Sequence, residues 1–380
     1  MKSAIKRLLP WFLLLLNFGL PVGAQTTTPA PPELEARGYL LVDFHTGKAL
    51  AELNADERVE PASLTKIMTA YTVFRELASG RISLSDRVTI SERAWRTGGS
   101  KMFIEVGKQV SLEDLLKGMI IQSGNDASVA LAEYVSGNVE SFANLMNAHA
   151  KRLGMTNSHF TNPNGLPDPE LYTTARDMAR VAAALIREFP EYYAWYSTLE
   201  FTYNGITQQN RNPLLRRDPT ADGIKTGYTK AAGYCLIGSA KRDDMRLISV
   251  VMGAPTPRAR AEASLALLNY GFRTYESHKL YPVGQPIQNL RVWFGEQETL
   301  PAGPERDVVA TIPRGQYAKL SARIEKTSDM NAPIARGERL GDIVVLMGEE
   351  EITRIPLIAL QDLPKGGLWR QVKDSVLRMF

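Results

Sequence analysis

Residues 61–71 read PASLTKIMTAY and place Ser63 three positions before Lys66, at the start of an apolar helical pattern. A serine at a helix start usually caps the helix, because its hydroxyl accepts a bond from a backbone N–H two or three residues on. The third position after such a cap favours Glu or Gln, which suit the positive helix end, whereas Lys66 carries the opposite charge. The pair needs another explanation, although the same spacing also arises by chance, as at Ser3 and Lys6.

The Ser3–Lys6 pair lies in an N-terminal segment with the features of a targeting signal. Residues 1–24 have a basic start, an apolar stretch around residues 13–16 and an ending of small residues. This build is typical of a cleavable secretory signal, and it is too short and too broken by proline for a good spanning helix; an uncleaved anchor is the alternative. We predict a signal peptide over 1–24 and a Pro/Thr-rich linker over 25–36.

Charge and cysteine content exclude little. The chain has 45 Lys and Arg against 41 Asp and Glu, and three of these bases lie in the predicted signal, which contains no acid. The remainder is nearly neutral, so we predict no nucleic-acid partner. The single cysteine, Cys235, cannot form an internal disulfide, and its apolar surroundings are typical of a small buried side chain rather than a nucleophile.

Strand patterns flank a helical middle. Residues 38–53 predict two strands about a turn, residues 63–153 predict helices, and strand patterns return over 222–254. This order predicts an α+β domain over 37–276, in which an antiparallel sheet made of N- and C-terminal pieces packs beside a helical insertion. Short strands with Gly and Pro turns then predict a small all-β domain over 277–362.

Two further short motifs accompany the Ser63 pair. Lys-Thr-Gly occurs once, at 225–227 in a predicted strand, and Ser-Gly-Asn occurs twice, at 123–125 and 136–138. The second copy closes a predicted helix, with Gly137 where a left-handed residue is favoured, so we interpret it as a cap. The first copy connects two helical segments and can aim its side chains into a cleft, so we assign it to the site.

The order S-x-x-K, S-x-N, K-T-G, on a helix, an inter-helix loop and a strand, resembles the signature set of penicillin-recognising serine enzymes. Residues 120–134 (IIQSGNDASVALAEY), 222–240 (DGIKTGYTKAAGYCLIGSA) and 260–273 (RAEASLALLNYGFR) are similar to stretches of low-molecular-mass penicillin-binding proteins that are D-alanyl-D-alanine carboxypeptidases. The resemblance implies a β-lactamase/transpeptidase-like catalytic fold. It also implies removal of the terminal D-alanine from peptidoglycan pentapeptide through an acyl-Ser63 intermediate, with β-lactams as inhibitors.

The Ser63 pair now has a chemical explanation. Residues three apart on a helix lie on one face, with Cβ atoms about 5–6 Å apart, so the Lys66 amine can reach the Ser63 hydroxyl. Serine needs such a base because its hydroxyl is a poor nucleophile. The amine acts only when neutral, and burial, the positive helix end and a second cation such as Lys225 all lower its pKa. We predict no cofactor and no metal, and since no histidine lies in a motif, a Ser-His-Asp hydrolase is disfavoured.

The resemblance implies the remaining roles. Ser123 and Asn125 would relay the proton to the leaving amine and hold the substrate amide. Lys225 and Thr226 would line the strand that binds the terminal carboxylate. Gly227 would let the substrate backbone approach closely.

Two residues are assigned less directly. The backbone N–H groups of Ser63 and Tyr228 would form an oxyanion hole. Some relatives have His at the latter position, so the resemblance assigns no particular role to the Tyr228 side chain. Arg260 matches a basic position of the family and suits a second contact to the carboxylate, because its fork binds bidentately. The alternative for Arg260 is a solvated residue at a helix start.

Other activities share this constellation. A class A β-lactamase adds a Glu-activated water, but residues 160–175 contain no E-x-x-L-N stretch, so we expect slow release of penicillin. Transpeptidation or endopeptidation stays open, since only the acyl acceptor or the bond cut differs. A non-catalytic wall-binding scaffold is disfavoured because every required side chain is present, although the β domain alone fits an interaction or spacing module.

The C-terminal residues 363–380 predict an amphipathic helix. At 100° per residue its large apolar side chains fall within an arc of roughly 120°, opposite a mostly basic face; they are Leu368, Trp369, Val372, Val376, Met379 and Phe380. Such a helix suits a membrane interface and is too short to cross, so we predict peripheral attachment of an exported protein to the periplasmic face of the inner membrane. The alternative is a helix docked on its own protein, against which we expect Gly366 and Gly367 to free it.

Overall fold

The computed structural model describes residues 28–327 and 330–378, and the chain from Pro31 onward forms one compact unit. The predicted signal and the last two residues of the predicted apolar arc lie outside the described residues. The helices are, in chain order, α1 (Thr65–Ala78), α2 (Glu92–Arg96), α3 (Leu112–Lys117), α4 (Asn125–Ser136), α5 (Val139–Arg152), α6 (Ala175–Glu188), α7 (Pro190–Tyr193), α8 (Leu214–Arg217), α9 (Pro257–Thr274) and α10 (Leu368–Leu377).

The strands follow the same order along the chain. They are β1 (Gly38–Asp43), β2 (Ala49–Leu53), β3 (Arg87–Thr89), β4 (Gln109–Ser111), β5 (Glu200–Tyr203), β6 (Ile206–Gln209), β7 (Ala221–Thr229), β8 (Gly233–Arg242), β9 (Met245–Ala254), β10 (Tyr275–Tyr281), β11 (Gln288–Arg291), β12 (Thr299–Pro304), β13 (Val308–Pro313), β14 (Leu320–Lys326), β15 (Arg339–Met347) and β16 (Glu350–Ala359).

A central antiparallel sheet in the order β2-β1-β9-β8-β7 joins the N- and C-terminal pieces of the α+β domain. Its side chains alternate between the two faces, as the strand period requires. In β8, Ile237 packs with the helical insertion, whereas Leu236 packs with α9 on the other face. The predicted α+β arrangement is therefore confirmed, and β7 is left as the edge strand beside the helical insertion.

Within the stretch 63–153, for which helices are predicted, residues 111–122 form two different parts. Ser111 caps α3 by accepting the Asp114 N–H at 3.1 Å. The chain then widens into a π-helical turn, Gly118–Gln122, and leaves it at Ser123. Such turns re-aim the residues that follow them and occur frequently at functional sites.

The second Ser-Gly-Asn copy is a helix connection. Gly137 adopts φ 78° at the end of α4, and the Asn138 side chain caps α5 by accepting the Ser141 N–H at 2.7 Å. Both positions match general capping preferences. The interpretation of this copy as a cap is confirmed.

The C-terminal domain is all-β, as predicted. Its main sheet has the order β11-β12-β16-β15-β14 and encloses its own apolar core, while β10 and β13 form a separate ribbon. β10 starts directly after α9, so the boundary predicted between residues 276 and 277 falls within this strand. The ribbon is bonded to the α+β domain, because the Asp43 carboxylate accepts the Ser277 hydroxyl at 3.0 Å and the Arg314 guanidinium donates to the Phe272 carbonyl.

Helix α10 docks on this β domain through its polar face. Asp374 is buried, and its carboxylate accepts the Phe294 N–H at 2.7 Å. Arg370 and Lys373 both pair with Glu298, at 2.5 and 3.1 Å. Strand β11 ends at Arg291, and the chain turns at Phe294, where φ is 62°, to meet this helix.

The opposite face of α10 has no protein against it in the described residues. Trp369 is 89% exposed and Leu368 is 81% exposed, and Val372 and Val376 are also exposed. Gly366 does not free the helix from the β domain as expected, because its own N–H donates to the Phe294 carbonyl at 2.8 Å. The helix is thus docked, with its apolar side facing outward.

Candidate active site

The Ser63 turn is held tightly between two backbone segments. Ser63 lies in a short turn, Ala62–Leu64, and Leu64 rather than Ser63 occupies the cap position of α1, so the hydroxyl is free for another partner. A Cβ on Gly165 would collide with the Ala62 carbonyl, and a Cβ on Gly227 would lie 3.2 Å from the Ser63 nitrogen. The sequence predicted that a substrate backbone approaches Gly227 closely. In the structure the Ser63 turn of the protein itself already approaches Gly227 closely.

Lys66 is the most constrained group of the site. Its side chain is 1% exposed, and Nζ lies 3.0 Å from Ser63 Oγ, 2.7 Å from Asn125 Oδ1 and 2.6 Å from the Asn164 carbonyl oxygen. An amine has three hydrogen-bonding positions, so these contacts account for all of them. The predicted Ser63–Lys66 contact is present, and the lysine cannot swing away from it.

The surroundings of Lys66 favour its neutral form. Burial lowers the pKa of Lys66 from its ordinary value to about 7, and the positive charge of Arg211 contributes next. From the sequence we expected Lys225 to supply that second charge. Burial is also the main cause that lowers the pKa of Lys225, followed by the charges of Lys66 and Arg211. A substantial fraction of Lys66 is thus available as a base near neutral pH.

The first Ser-Gly-Asn copy enters the same site. Ser123 adopts the left-handed conformation, with φ 69°, which is uncommon outside glycine. Its hydroxyl is buried and finds no hydrogen-bond partner among the described residues. Asn125 bridges to the Gly98 carbonyl through Nδ2 at 2.7 Å while its Oδ1 accepts from Lys66. The copy therefore supplies one group that fixes the base and one group left for a ligand.

The Lys-Thr-Gly motif lies on the edge strand β7, beside the Ser63 turn. Lys225 is buried, and its Nζ donates to the Thr226 carbonyl at 3.0 Å. Thr226, Gly227 and Tyr228 all line a cavity of about 290 Å³ that Ser63 and Ser123 also line. The three motifs therefore meet at one place.

The charged side chains that line that cavity are all basic. Its lining contains Arg211 and Arg260, with Lys66 and Lys225 directly behind, and no Asp or Glu within the part of the chain that is described. Such a site attracts an anionic group, because buried like charges are stabilised by a counter-ion. A larger cavity of about 550 Å³ lies near Arg314 and α9, and its lining includes none of the motif residues.

Comparison with known sequences agrees with this geometry. The profile of the D-alanyl-D-alanine carboxypeptidase family matches residues 25–256, and that of the C-terminal domain of penicillin-binding protein 5 matches residues 275–365. The chain belongs to the D-alanyl-D-alanine carboxypeptidase family. It is a serine hydrolase of the penicillin-binding class.

Individual relatives cover nearly the whole carboxypeptidase. A D-alanyl-D-alanine carboxypeptidase of Escherichia coli K12 is 44% identical over 96% of this chain and 94% of its own length. One from Haemophilus influenzae is 41% identical, over 96% and 94%. The crystal structure of penicillin-binding protein 5 from Haemophilus influenzae superposes with a TM-score of 0.83, at 43% identity, and covers 89% of this chain and 100% of that one.

A more distant structure shows a family member with an antibiotic. Penicillin-binding protein D2 of Listeria monocytogenes, in the ampicillin-bound form, matches 63% of this chain and 100% of its own. Its TM-score is 0.59 and its identity is 31%.

Arg260 of this carboxypeptidase is not a solvated residue at a helix start. Its guanidinium lies at the cavity, with Nη1 3.2 Å from the Gly227 carbonyl and 3.5 Å from the Cys235 carbonyl. Nε is buried and finds no partner in the described part of the chain. The structure thus brings Arg260 together with the three motifs.

Sequence reasoning missed Arg211, which lies on the loop before α8. The neighbouring asparagines fix that loop, because Asn210 Oδ1 accepts the Asn212 N–H at 2.9 Å and Asn212 Oδ1 accepts the Leu214 N–H at 3.1 Å. Two buried asparagines that flank an arginine are the only local signal. They indicate a fixed loop without indicating what it faces.

The loop that follows α5 supplies no catalytic carboxylate to Lys66. Its contact is the Asn164 carbonyl, while Glu170 is exposed and its N–H is bonded to Asp168. Across residues 28–327 and 330–378, no group of three or more His, Cys, Asp or Glu side chains is arranged to hold a metal ion.

Proposed function

We propose that the carboxypeptidase removes the terminal D-alanine of peptidoglycan pentapeptide through an ester on Ser63, with Lys66 as the general base. The observation that carries this proposal is the buried Lys66 amine, 3.0 Å from Ser63 Oγ and with its pKa lowered to about 7. Neutral Lys66 takes the hydroxyl proton while Oγ attacks the carbonyl carbon of the penultimate D-alanine.

The backbone N–H groups of Ser63 and Tyr228 stabilise the oxyanion that forms on the carbonyl oxygen. When the C–N bond breaks, the leaving amine takes the proton from Lys66 by way of the Ser123 hydroxyl. Burial of that hydroxyl without a protein partner supports this relay, since a substrate amine would complete its hydrogen bonding. Oδ1 of Asn125 accepts from Lys66, and Nδ2 donates one of its two hydrogens to the Gly98 carbonyl. The second Nδ2 hydrogen is available for the assigned contact to the substrate amide.

The terminal carboxylate of the substrate binds among the cavity cations. Thr226 lines the cavity on β7, Arg260 presents a free Nε, and Arg211 faces them from the loop before α8. An arginine fork matches a carboxylate in geometry as well as in charge. This arrangement favours peptides with a free C-terminus over internal peptide bonds, and therefore carboxypeptidation over endopeptidation.

Release of the acyl group is the step that separates a carboxypeptidase from a β-lactamase. Lys66 takes a proton from water as the water oxygen attacks the ester carbonyl carbon, the bond between that carbon and Ser63 Oγ breaks, and Lys66 then gives the proton to Oγ. A β-lactam leaves its amine tethered to the acyl group. Because the Asn164 loop offers a carbonyl rather than a Glu to the base, we expect penicillin to remain on Ser63 for a long time.

Incubation with a pentapeptide that ends in D-Ala-D-Ala tests the proposal, with free D-alanine as the readout. Peptide mapping after β-lactam treatment is expected to find the adduct on residues 61–66. Absence of D-alanine release, or an adduct on another segment, would contradict the assignment.

We also infer that the protein is exported and attached to the periplasmic face of the inner membrane through α10. The apolar face of α10 supports this inference, because its side chains are exposed while the polar face of the same helix is bonded to the β domain. The exposed residues are Leu368, Trp369, Val372 and Val376. Within the described residues no helix has both the length and the apolar character needed to cross a bilayer. Surface attachment needs only the exposed apolar face.

Deletion of residues 366–380 tests the attachment. The shortened enzyme is expected to leave the membrane fraction and to keep its carboxypeptidase activity, because the active site lies in the catalytic domain. A membrane-bound deletion variant, or a full-length protein that is soluble at moderate salt, would overturn this inference.

A further inference from the structure

A buried carboxylate at the start of α4 has no role in the steps above. Asp126 is 0% exposed. One of its oxygens accepts the Met102 N–H at 3.0 Å, and the other accepts the Phe103 N–H at 3.0 Å and the Ile104 N–H at 3.4 Å. Both oxygens of a carboxylate accept, whereas an asparagine amide has one oxygen and a donating nitrogen. Only an acid of this size therefore satisfies all three backbone N–H groups.

The backbone that Asp126 binds has an uncommon conformation. Phe103 adopts φ 68°, in the left-handed region, and its side chain is 48% exposed. The side chains on either side of it, Met102 and Ile104, are buried. A left-handed conformation in a bulky residue costs free energy and persists only where the surrounding contacts fix it. The bonds to the Asp126 carboxylate are such contacts.

The segment that Asp126 holds, residues 98–104 between α2 and β4, also fixes Asn125. The Asn125 N–H donates to the Ser100 carbonyl at 2.7 Å, and Nδ2 donates to the Gly98 carbonyl at 2.7 Å. With the amide held in this way, Oδ1 lies 2.7 Å from the Lys66 amine. The orientation of the Asn125 side chain therefore depends on where this segment lies.

We propose that Asp126 is a positioning residue for the base of the reaction. The inference rests on the proposed function, in which Lys66 is that base. The Asp126 carboxylate holds segment 98–104 in place, and the segment orients the Asn125 amide. Asn125 Oδ1 in turn keeps the Lys66 amine beside Ser63. Asp126 thus acts through Asn125 rather than on the substrate.

The charge of Asp126 acts on the same amine. Charged groups face Lys66 from three elements: Arg211 on the loop before α8, Lys225 on β7, and Asp126 on α4. Burial lowers the pKa of Lys66 most, Arg211 lowers it further, and Asp126 raises it. Removing the carboxylate charge must therefore lower the pKa of Lys66. Loss of the hydrogen bond to Asn125, which favours the charged amine, acts in the same direction.

Asp126→Asn tests this role, because asparagine keeps the size of the side chain and removes its charge and one acceptor. The readout is the pH profile of kcat/KM for D-alanine release from a pentapeptide that ends in D-Ala-D-Ala. We expect the plateau to fall by up to about 10²-fold, the loss that a misplacement of about 1 Å produces. We also expect the rising limb to move to lower pH, because the pKa of Lys66 falls. A merely structural role would lower the plateau without moving the limb.

Two variants serve as controls. Asp43 is likewise 0% exposed, and its carboxylate accepts the N–H groups of His45 and Thr46 at the turn between β1 and β2. Asp43→Asn should lower the temperature of thermal unfolding and leave the rising limb at its native pH. Phe103→Gly should keep both the native plateau and the native limb, because glycine adopts φ 68° without strain and retains the N–H that Asp126 accepts.

An unchanged plateau in Asp126→Asn, or a limb that stays in place or moves to higher pH, would overturn the positioning role. Equal limb displacements in Asp126→Asn and Asp43→Asn would also overturn it. If Asp126→Asn does not fold, the same change in the Phe103→Gly background takes its place, since the strained conformation is then absent. If that variant does not fold either, the carboxylate serves the fold alone and the role is overturned. Failure of the proposed function gives a different result, because the native enzyme would then release no D-alanine.

Discussion

The active-site cleft and the exposed face of the C-terminal helix leave opposite kinds of groups without protein partners. In the cleft, the buried Ser123 hydroxyl and Arg260 Nε have no hydrogen-bond partner within residues 28–327 and 330–378. On α10, the Trp369 and Leu368 side chains are almost fully exposed. Burying an unpaired polar group and exposing a large apolar patch both cost free energy. This difference agrees with the two proposals above, in which the cleft binds an anionic peptide end and the helix face binds an apolar interface.

The two regions also differ in how firmly they are held. Lys66 is fixed by three contacts in the interior, and Ser123 is held in an uncommon backbone conformation. The polar face of α10 rests on one buried carboxylate, Asp374, and on the exposed Glu298 with its two basic partners. Exposed ion pairs stabilise weakly. Chemistry needs positions fixed to fractions of an ångström, whereas an interfacial helix needs only the correct side facing outward.

The largest effect is expected from removing the base. Lys66→Ala takes away the group that accepts the Ser63 proton, so acylation by a β-lactam should fall by the roughly 10²–10⁴-fold that general-base catalysis contributes. The variant should unfold cooperatively, as the native protein does, since alanine removes a buried amine together with its desolvation cost. Acylation at the native rate in a stopped-flow assay would mean that Lys66 is not the base.

Next in size is the loss of the unpaired hydroxyl, and the chain offers its own matched control. Ser123→Ala removes the proposed relay, and we expect turnover of pentapeptide to fall about 10²-fold. Ser136→Ala changes the same residue of the second Ser-Gly-Asn copy, at a helix end, and should leave turnover unchanged. If both serine variants behaved alike, the distinction between a site copy and a capping copy would fail.

The sequence predicted the parts of the site that local patterns carry. Ser63 and Lys66 share a helix face through their spacing, and the three motifs meet because the β7 edge packs beside the Ser63 turn. Arg211 could not be predicted, since its position depends on a loop fixed by Asn210 and Asn212 and on tertiary placement. For this reason the sequence offered Lys225, and not Arg211, as an example of a cation beside Lys66.

The same limit applies to α10. Its amphipathic pattern follows from the sequence by helical periodicity. Its docking depends on Glu298 and on the Phe294 N–H, which lie far from it along the chain. Contacts of that kind leave no periodic signal, so the two adjacent glycines suggested a freedom that the helix does not have.

A smaller effect is expected from the apolar face of the helix. Trp369→Ser removes the most exposed large side chain, and binding to lipid vesicles should weaken roughly tenfold or more, which corresponds to about 1.5–3 kcal/mol for one large apolar side chain. Lys373→Gln lies on the docked face and should change vesicle binding much less at moderate salt. Equal losses in both variants, measured by sedimentation with vesicles, would mean that the polar face rather than the apolar one contacts the membrane.

The smallest effect is a displacement of the pH profile. Lys66 acts as a base only when neutral, and its pKa is lowered to about 7, so kcat/KM should rise with pH through that value and then level off. Besides burial, the charges that bear on Lys66 are Arg211, which lowers the pKa, and Asp126, which raises it. Removing the cation in Arg211→Gln must therefore raise the pKa of Lys66 and move the rising limb to higher pH.

At pH 6 this displacement should slow the variant beyond any change at the plateau, because a smaller fraction of Lys66 is then neutral. The limb of kcat/KM reports the free enzyme, so weaker binding of the substrate carboxylate lowers the plateau without moving the limb. Arg217→Gln, on the exposed side of α8, should keep the native limb. A limb that stays in place in Arg211→Gln, or moves to lower pH, would show that Arg211 does not act on the base and that burial alone sets its pKa.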